Sequence, residues 1–301
     1  MKKGVSRRQF LQGAAAAGSM TVAPAAAGVV PEGWQDSLSS LLQSHYRRMS
    51  KEEVEEALRR VERRVKRRFG VDATCAATSP QEGVAFGYAL NLSRCIGARR
   101  CVEACIQENN CPRDGHTQNI RVIAQPKGKL ALEGGDHYFA PQTVPQPGQW
   151  YIPVQCQQCE DPPCVKACPV QATWKEKDGI VVIDYDWCIG CRYCAVACPY
   201  WARRFNWQEP QLKAEEINPQ MHYLGNRPRT AGVMEKCTFC VQRTREGRQP
   251  ACQEACPTGA RIFGNLLDPK GELRYILTHM TVFRLKEELE TNPNFWYFTD
   301  R

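Results

Sequence analysis

The stretch Cys188-Ile189-Gly190-Cys191-Arg192-Tyr193-Cys194-Ala195-Val196-Ala197-Cys198-Pro199 decides what kind of molecule this chain makes. Its spacing, C-x2-C-x2-C-x3-C-P, is the one with which cysteine thiolates hold [4Fe–4S] cubes, the fourth thiolate reaching a second cube. The reason is geometric. One tight loop presents three sulfurs to three corners of a cube, and the short helix that follows carries the fourth sulfur away to a neighbour. The proline then ends that helix. The run predicts a protein that moves electrons.

Three further clusters vary the theme. Cys156-Gln157-Gln158-Cys159 continues through Cys164 to Cys168-Pro169 with a wider third gap. Cys237-Thr238-Phe239-Cys240 is separated by eleven residues from Cys252-Gln253-Glu254-Ala255-Cys256-Pro257. The first set is irregular: Cys95-Ile96-Gly97-Ala98-Arg99-Arg100-Cys101, then Cys105, then Cys111-Pro112, with alanine where the second thiolate belongs. Sixteen of the 17 cysteines fall in these groups, and Cys75 stands apart as a bystander. An even cysteine set in an exported protein also suits disulfides, and C-x2-C pairs also suit zinc. Disulfide frameworks belong to small domains, however, whereas this chain has 301 residues. Zinc sites have no use for a repeated x3-C-P ending.

The N-terminus reads as an address. Ser6-Arg7-Arg8-Gln9-Phe10-Leu11-Gln12 has the form of a twin-arginine export signal, and the alanine-rich stretch after it ends at Ala25-Ala26-Ala27, suited to cleavage before Gly28. Export of already folded cargo agrees with clusters that must be assembled in a reducing cytoplasm. Nothing downstream reaches about 18 consecutive apolar residues, so membrane attachment is expected only through a partner. Residues 28–80 form an N-terminal extension with a charged helix at about 51–69. Ser50 and Glu53 make its capping box, Gly70 its stop, and Val54, Leu58, Val61, Val65 and Phe69 an apolar stripe. That stripe suits docking on the chain's own domain or, alternatively, on another subunit. Residues 81–267 make the cluster domain and 268–301 a tail, whose Phe295-Trp296-Tyr297-Phe298 is expected to pack on the chain's own core.

Twenty prolines and 22 glycines suit a loop-rich fold. The formal net charge of +8 derives partly from the signal and the helix end, and does not indicate nucleic-acid binding. There is no C-x-x-C-H haem site, dinucleotide fingerprint or hydrolase triad. The histidines at 45, 116, 137, 222 and 279 are scattered, consistent with surface or packing roles.

The runs Val154-Gln155-Cys156-Gln157-Gln158-Cys159-Glu160-Asp161-Pro162-Pro163-Cys164, Asp186-Trp187-Cys188 and Glu235-Lys236-Cys237-Thr238-Phe239-Cys240 closely resemble one family. It is the four-cluster ferredoxin subunit of complex iron–sulfur molybdoenzymes, as in polysulfide, tetrathionate and dimethyl sulfoxide reductases. The resemblance spans about Phe86 to Leu267. It implies an α+β, loop-rich fold of two ferredoxin-like lobes related by pseudo-twofold symmetry, carrying four clusters in a line. It also implies the ligands: Cys156, Cys159, Cys164 and Cys198 for one cluster; Cys188, Cys191, Cys194 and Cys168 for another. A third falls to Cys237, Cys240, Cys252 and Cys105, and a fourth to Cys95, Cys101 and Cys256.

Ala98 leaves one corner of that fourth cluster without a thiolate. Either the cluster is [3Fe–4S], or Cys111 swings in and it is [4Fe–4S]; the other three are expected to be [4Fe–4S]. Arg99, Arg100, Arg192, Arg203, Arg204 and Lys236 flank the loops, where they either raise cluster potentials or are solvated or paired with partner carboxylates. Trp201 is expected to shield a cluster from water. The resemblance implies a subunit with no substrate chemistry of its own. It would relay single electrons between a polytopic quinol-reactive membrane subunit and a molybdopterin (molybdenum or tungsten) catalytic subunit, at the periplasmic face. The alternative is a wire in a molybdenum-free respiratory complex, of the sulfite or nitrite respiration or alternative complex III type, linked to c-type cytochromes. An exported zinc- or disulfide-stabilised adaptor is a third reading.

Overall fold

A computed structural model describes residues 49–114, 117–130, 139 and 141–300. The export signal, the rest of the chain before Met49, and His45, His116 and His137 lie outside the described residues.

Helix α1 runs Lys51–Phe69, with the reciprocal Ser50/Glu53 capping bonds at its start and Gly70 in the left-handed conformation at its end. Acidic residues in its first turn and Lys66, Arg67 and Arg68 in its last complement the helix dipole. Its apolar stripe docks on the chain's own domain: Ala57, Val61 and Val65 are buried against Cys75, Ile217, Met221 and Tyr223. Cys75 lies in strand β1 (Thr74–Ala76), paired in parallel with β8 (Gln220–His222). It is a core residue of this small layer, remote from the cysteine motifs in its packing.

Strand β2 (Phe86–Asn91) pairs antiparallel with β10 (Arg261–Asn265) and parallel with β12 (Phe295–Phe298). Strand β11 (Val282–Phe283) adds to the far side of β12, completing a four-stranded sheet in the order β10-β2-β12-β11, the largest sheet among the described residues. The C-terminal segment is therefore no appendage to the cluster domain. All four residues of Phe295–Phe298 are buried, and the Phe295 ring stacks on Tyr88 at 4.9 Å between centroids. The remaining strands make two-stranded ladders: β3 (Arg121–Pro126) with β4 (Gln149–Val154), β5 (Thr173–Lys175) with β6 (Val181–Ile183), and β7 (Arg204–Phe205) with β9 (Met234–Glu235). Between them lie helices of a single turn, such as Tyr193–Val196 and Ala251–Glu254. Mixed strands and short helices around cysteine loops give the α+β character. No helix among the described residues is long and apolar enough to cross a membrane.

Buried ion pairs fasten the segments. Arg245 donates to Asp178 at 2.8 Å and to the Thr78 carbonyl at 2.8 Å, so the chain after Cys240 is tied to the β5–β6 turn and to the N-terminal extension. Beside this knot His222 is almost fully buried, and the backbone N–H groups of Thr78 and Leu224 point at its two ring nitrogens, each at 3.1 Å. Burial, then the Arg245 charge, push its pKa down to about 4, with the Asp178 carboxylate opposing them. The folded state thus rejects a proton that the unfolded chain accepts at about 6.5. Stability is complete above that pH and drains as pH falls toward 4, by about 2 kcal/mol between pH 7 and 5. In His222→Gln this acid loss should disappear. Urea midpoints at the two pH values measure it; an unchanged slope would show that His222 is not the responsible group.

Candidate functional site

The four cysteine loops share one backbone turn. The residue before the second ligand position is left-handed in each: Gly97 (φ 77°), Gln158 (45°), Gly190 (72°) and Phe239 (53°). Ala98 therefore occupies the same place in its turn as Cys159, Cys191 and Cys240. Glycine is required where backbones crowd, since a Cβ on Gly190 would lie 2.2 Å from the Gly232 carbonyl oxygen. Gln158 and Phe239 hold the same φ with side chains, at a cost of about 1–2 kcal/mol each. The turn aims an N–H back at the first sulfur: Phe239 N donates to Cys237 Sγ at 3.4 Å, and Gly97 and Gly190 do the same for Cys95 and Cys188. The fourth sulfurs are served likewise, Cys198 by Tyr200 and Ala202, and Cys256 by Thr258 and Ala260.

The thiols gather from segments far apart in sequence. Cys159 and Cys198 have Cys156 and Cys164 as electrostatic neighbours. Cys188 neighbours Cys168 and Cys191, and Cys194 neighbours Cys188 and Cys168. Cys105 meets Cys237, Cys240 and Cys252, while Cys95 meets Cys101 and Cys256. Successive groups lie within electrostatic range of one another: Cys194 of Cys164, Cys237 of Cys156, and Cys101 of Cys252. The groups thus stand in one order, from Cys188/Cys191 at one end to Cys95/Cys256 at the other.

Cys111 does not join the Cys95 group. It is fully buried, donates to Asn109 O and accepts from Asn119 Nδ2, both at 3.8 Å, and its sulfur neighbours are Cys105 and Cys237. The Ala98 corner instead opens on a cavity lined by Cys95, Gly97, Cys101, Cys256, Thr258 and Arg261.

The side chains fit a cluster rather than a lone ion. All 17 cysteines are free thiols, and among the described residues no three His, Cys, Asp or Glu side chains converge on a point as a single metal ion demands. Burial pushes the Cys159 and Cys237 thiols up to about 12 and the Cys95 and Cys194 thiols up to about 11. Thiolates in such a place need nearby positive charge, which iron supplies. At Cys256 burial acts in the same direction, but the Thr258 N–H, the Thr258 hydroxyl and the Ala260 N–H outweigh it and hold the pKa below its ordinary value. Three buried donors beside the sulfurs, Gln155 Nε2, Arg203 Nη1 and Arg261 Nη2, have no acceptor among the described residues. The inorganic sulfide of a bound cluster would supply an acceptor there.

Of the flanking cations named from sequence, the structure brings two into the sulfur interior. Arg203 Nη2 donates to Cys164 Sγ at 2.9 Å, and Lys236 Nζ donates to Gln158 Oε1 at 3.4 Å beside Cys237. Arg192 instead lies over Phe205 and Trp207, and Arg100 pairs with Glu103 on the surface. Trp201 is partly exposed beneath Arg121 and Lys286. Sequence reasoning missed Arg261, Tyr88, whose hydroxyl is 3.5 Å from Cys252 Sγ, and Asn109, whose Nδ2 is 3.6 Å from Cys105 Sγ. At the Cys188 end, Cys191 is exposed within a rim of Trp187, Ile189, Tyr193 and Val196, the last 87% exposed.

Buried, N–H-rich cysteine loops repeated along one chain define an iron–sulfur protein of the ferredoxin type. Residues 148–229 and 223–266 match the 4Fe-4S dicluster domain. The chain is 41% identical over 219 residues to a Halobacterium salinarum protein assigned as an iron–sulfur subunit of dimethyl sulfoxide reductase, covering 70% of this chain and 78% of that one. It is 42% identical over 206 residues to the first iron–sulfur subunit of the Hdr-like menaquinol oxidoreductase of Archaeoglobus fulgidus, covering 65% and 71%. It is 34% identical over 210 residues to the B chain of tetrathionate reductase from Salmonella typhimurium, covering 69% and 70%. The chain belongs to the family of iron–sulfur electron-transfer subunits of complex iron–sulfur molybdoenzymes.

Because its Cβ would meet a backbone carbonyl, Gly190→Ala should displace the Cys188–Cys191 turn and lower the iron content by about four per chain, one cluster's worth. Iron analysis of the purified variant checks this; full iron would mean that the turn tolerates a side chain.

Proposed function

We propose that this chain is an electron relay, passing single electrons between a quinone- or quinol-reactive membrane subunit and a molybdopterin catalytic subunit. One observation carries the reading: four groups of sulfurs, most of them buried, follow one another in a single order, each within electrostatic range of the next. A bound iron–sulfur cluster at each group supplies one-electron storage. The ligand sets are Cys188, Cys191, Cys194 and Cys168; Cys156, Cys159, Cys164 and Cys198; Cys237, Cys240, Cys252 and Cys105; and Cys95, Cys101 and Cys256. Each fourth ligand is exchanged between two loops, which pairs the loops into two lobes with pseudo-twofold symmetry.

The protein's own residues exclude water and place N–H donors and buried cations at the sulfurs, which favours the reduced, more negative state. They also leave Cys191 at the surface. Its apolar rim is the kind of patch that a partner subunit covers. Export by the twin-arginine route brings the relay to the outer face of the membrane, where its partners hold it.

Tagging this chain, purifying its complex gently from membranes and assaying the partners tests the reading. Molybdenum or tungsten in a large partner subunit is expected. Haem without either metal would replace it with a wire in a molybdenum-free quinol complex, and a colourless chain without iron would end the relay altogether.

At the Ala98 corner the cluster is [3Fe–4S], because Cys111 is held by Asn109 and Asn119 beside a different group. The oxidised protein should show a [3Fe–4S] EPR signal that Ala98→Cys abolishes, with a gain of about one iron per chain. Absence of that signal from the unaltered protein, at about sixteen irons per chain, would contradict the assignment.

A further inference from the structure

Two buried arginines occupy the same place in two repeats. Cys198-Pro199-Tyr200-Trp201-Ala202-Arg203 and Cys256-Pro257-Thr258-Gly259-Ala260-Arg261 share the pattern C-P-x-x-A-R, and the related run Cys168-Pro169-Val170-Gln171-Ala172-Thr173 ends on threonine. The backbone repeats as well: Gln171, Trp201 and Gly259 are left-handed, at φ 49°, 49° and 61°. The contacts follow the repeat. Arg203 donates from Nη2 to Cys164 Sγ at 2.9 Å and to Thr173 Oγ1 at 3.1 Å. Arg261 hydrogen-bonds Cys101, the corresponding thiol of its own lobe, and its Nη1 lies 3.8 Å from Cys252 Sγ and 2.7 Å from Gln155 Oε1.

What separates these two from the other buried arginines is the missing carboxylate. Arg227 pairs with Asp184 and Asp186, Arg229 with Glu235, and Arg245 with Asp178. Neither Arg203 nor Arg261 has an ion pair with a described carboxylate, and each keeps one buried nitrogen without an acceptor. A buried guanidinium stays charged and needs a counter-charge. Here only sulfur is at hand. Each arginine also lies within electrostatic range of two groups: Arg203 of Cys164 and Cys156 in one and Cys194 in the next, and Arg261 of Cys101 in one and Cys252 in the other.

We propose that Arg203 and Arg261 are equivalent redox-tuning residues, each a fixed positive charge shared by the two clusters of its lobe. One-electron reduction adds one negative charge to a cluster, and a guanidinium a few ångströms away in a poorly polarisable interior stabilises it. Because the charge is shared, it raises both potentials of the lobe together and offsets the repulsion between two reduced neighbours. The electron comes from the membrane or catalytic partner, or from dithionite in the test. No bond forms or breaks, and the guanidinium neither gains nor loses a proton.

The inference rests on the iron–sulfur reading, which the iron content and visible absorption of the unaltered protein test separately. EPR-monitored redox titration of the complex carrying Arg203→Gln should show the two clusters of the Cys156 and Cys188 groups falling in potential. The fall should be at least tenfold in the reduced-to-oxidised ratio at fixed ambient potential, or 59 mV for one electron. The other two clusters should stay in place. Arg261→Gln should give the reciprocal pattern, and Arg→Lys at either position should restore most of the loss. Iron retained with all potentials unmoved would overturn the proposal, as would an equal fall of all four. Should the Gln variants lose iron, the near-isosteric Thr173→Val, which removes an anchor of Arg203, decides instead. A smaller fall confined to the Cys156 and Cys188 clusters supports the proposal, and unchanged potentials refute it.

Discussion

The thiols of four cysteine loops gather in a largely buried interior, and the rest of the molecule follows from what that costs. A buried thiolate without positive charge is strongly disfavoured, which is why burial pushes so many of these thiols upward. The chain answers with N–H groups from left-handed turns, with buried cations, and with donors whose acceptors the protein does not contain. A hydrophobic core of the ordinary kind is secondary here. The large core cluster, with Tyr88, Leu90, Phe239 and Phe295, includes cysteines from all four motifs or packs directly against them.

The loops solve a local problem, and the segments between them solve a global one. Each turn fixes its own sulfurs over a few residues. Bringing Cys105 to Cys237, or Cys101 to Cys256, requires chain well over a hundred residues away, and the sheet of β2, β10 and β12 provides that register. Strand β10 begins at Arg261, so the ladder that closes the sheet also delivers a guanidinium to the sulfurs. Outside this frame, buried pairs such as Arg229–Glu235 and Arg245–Asp178 lock loops that have little regular structure of their own. Such pairs add little net stability over apolar packing, but removing one partner is expensive, so they fix one arrangement against alternatives.

The departures from regular motif spacing are informative in the same terms. Ala98 keeps the turn of its loop while losing the sulfur, so the backbone holds its shape where its chemistry has gone. Cys111, which the sequence offers as a replacement for the lost thiol, is committed to Asn109 and Asn119 next to a different group.

The sequence by itself determined the chemistry, because ligand spacing is a local property: C-x2-C-x2-C-x3-C-P can be read without knowing where the chain goes next. It also determined helix α1, whose caps and apolar stripe lie within twenty residues of one another. The ferredoxin-type family was legible for the same reason. Only the tertiary structure decided where Cys111 sits, that the last strand enters the central sheet, and that Arg203 bonds to a sulfur and Lys236 is buried beside Cys237 while Arg192 and Arg100 turn elsewhere. Arg261 left one trace, the repeated C-P-x-x-A-R, but its meaning depends on contacts to Cys101 and Gln155 across more than a hundred residues. Charge near a cluster acts through distance in space, and spacing along the chain does not report it.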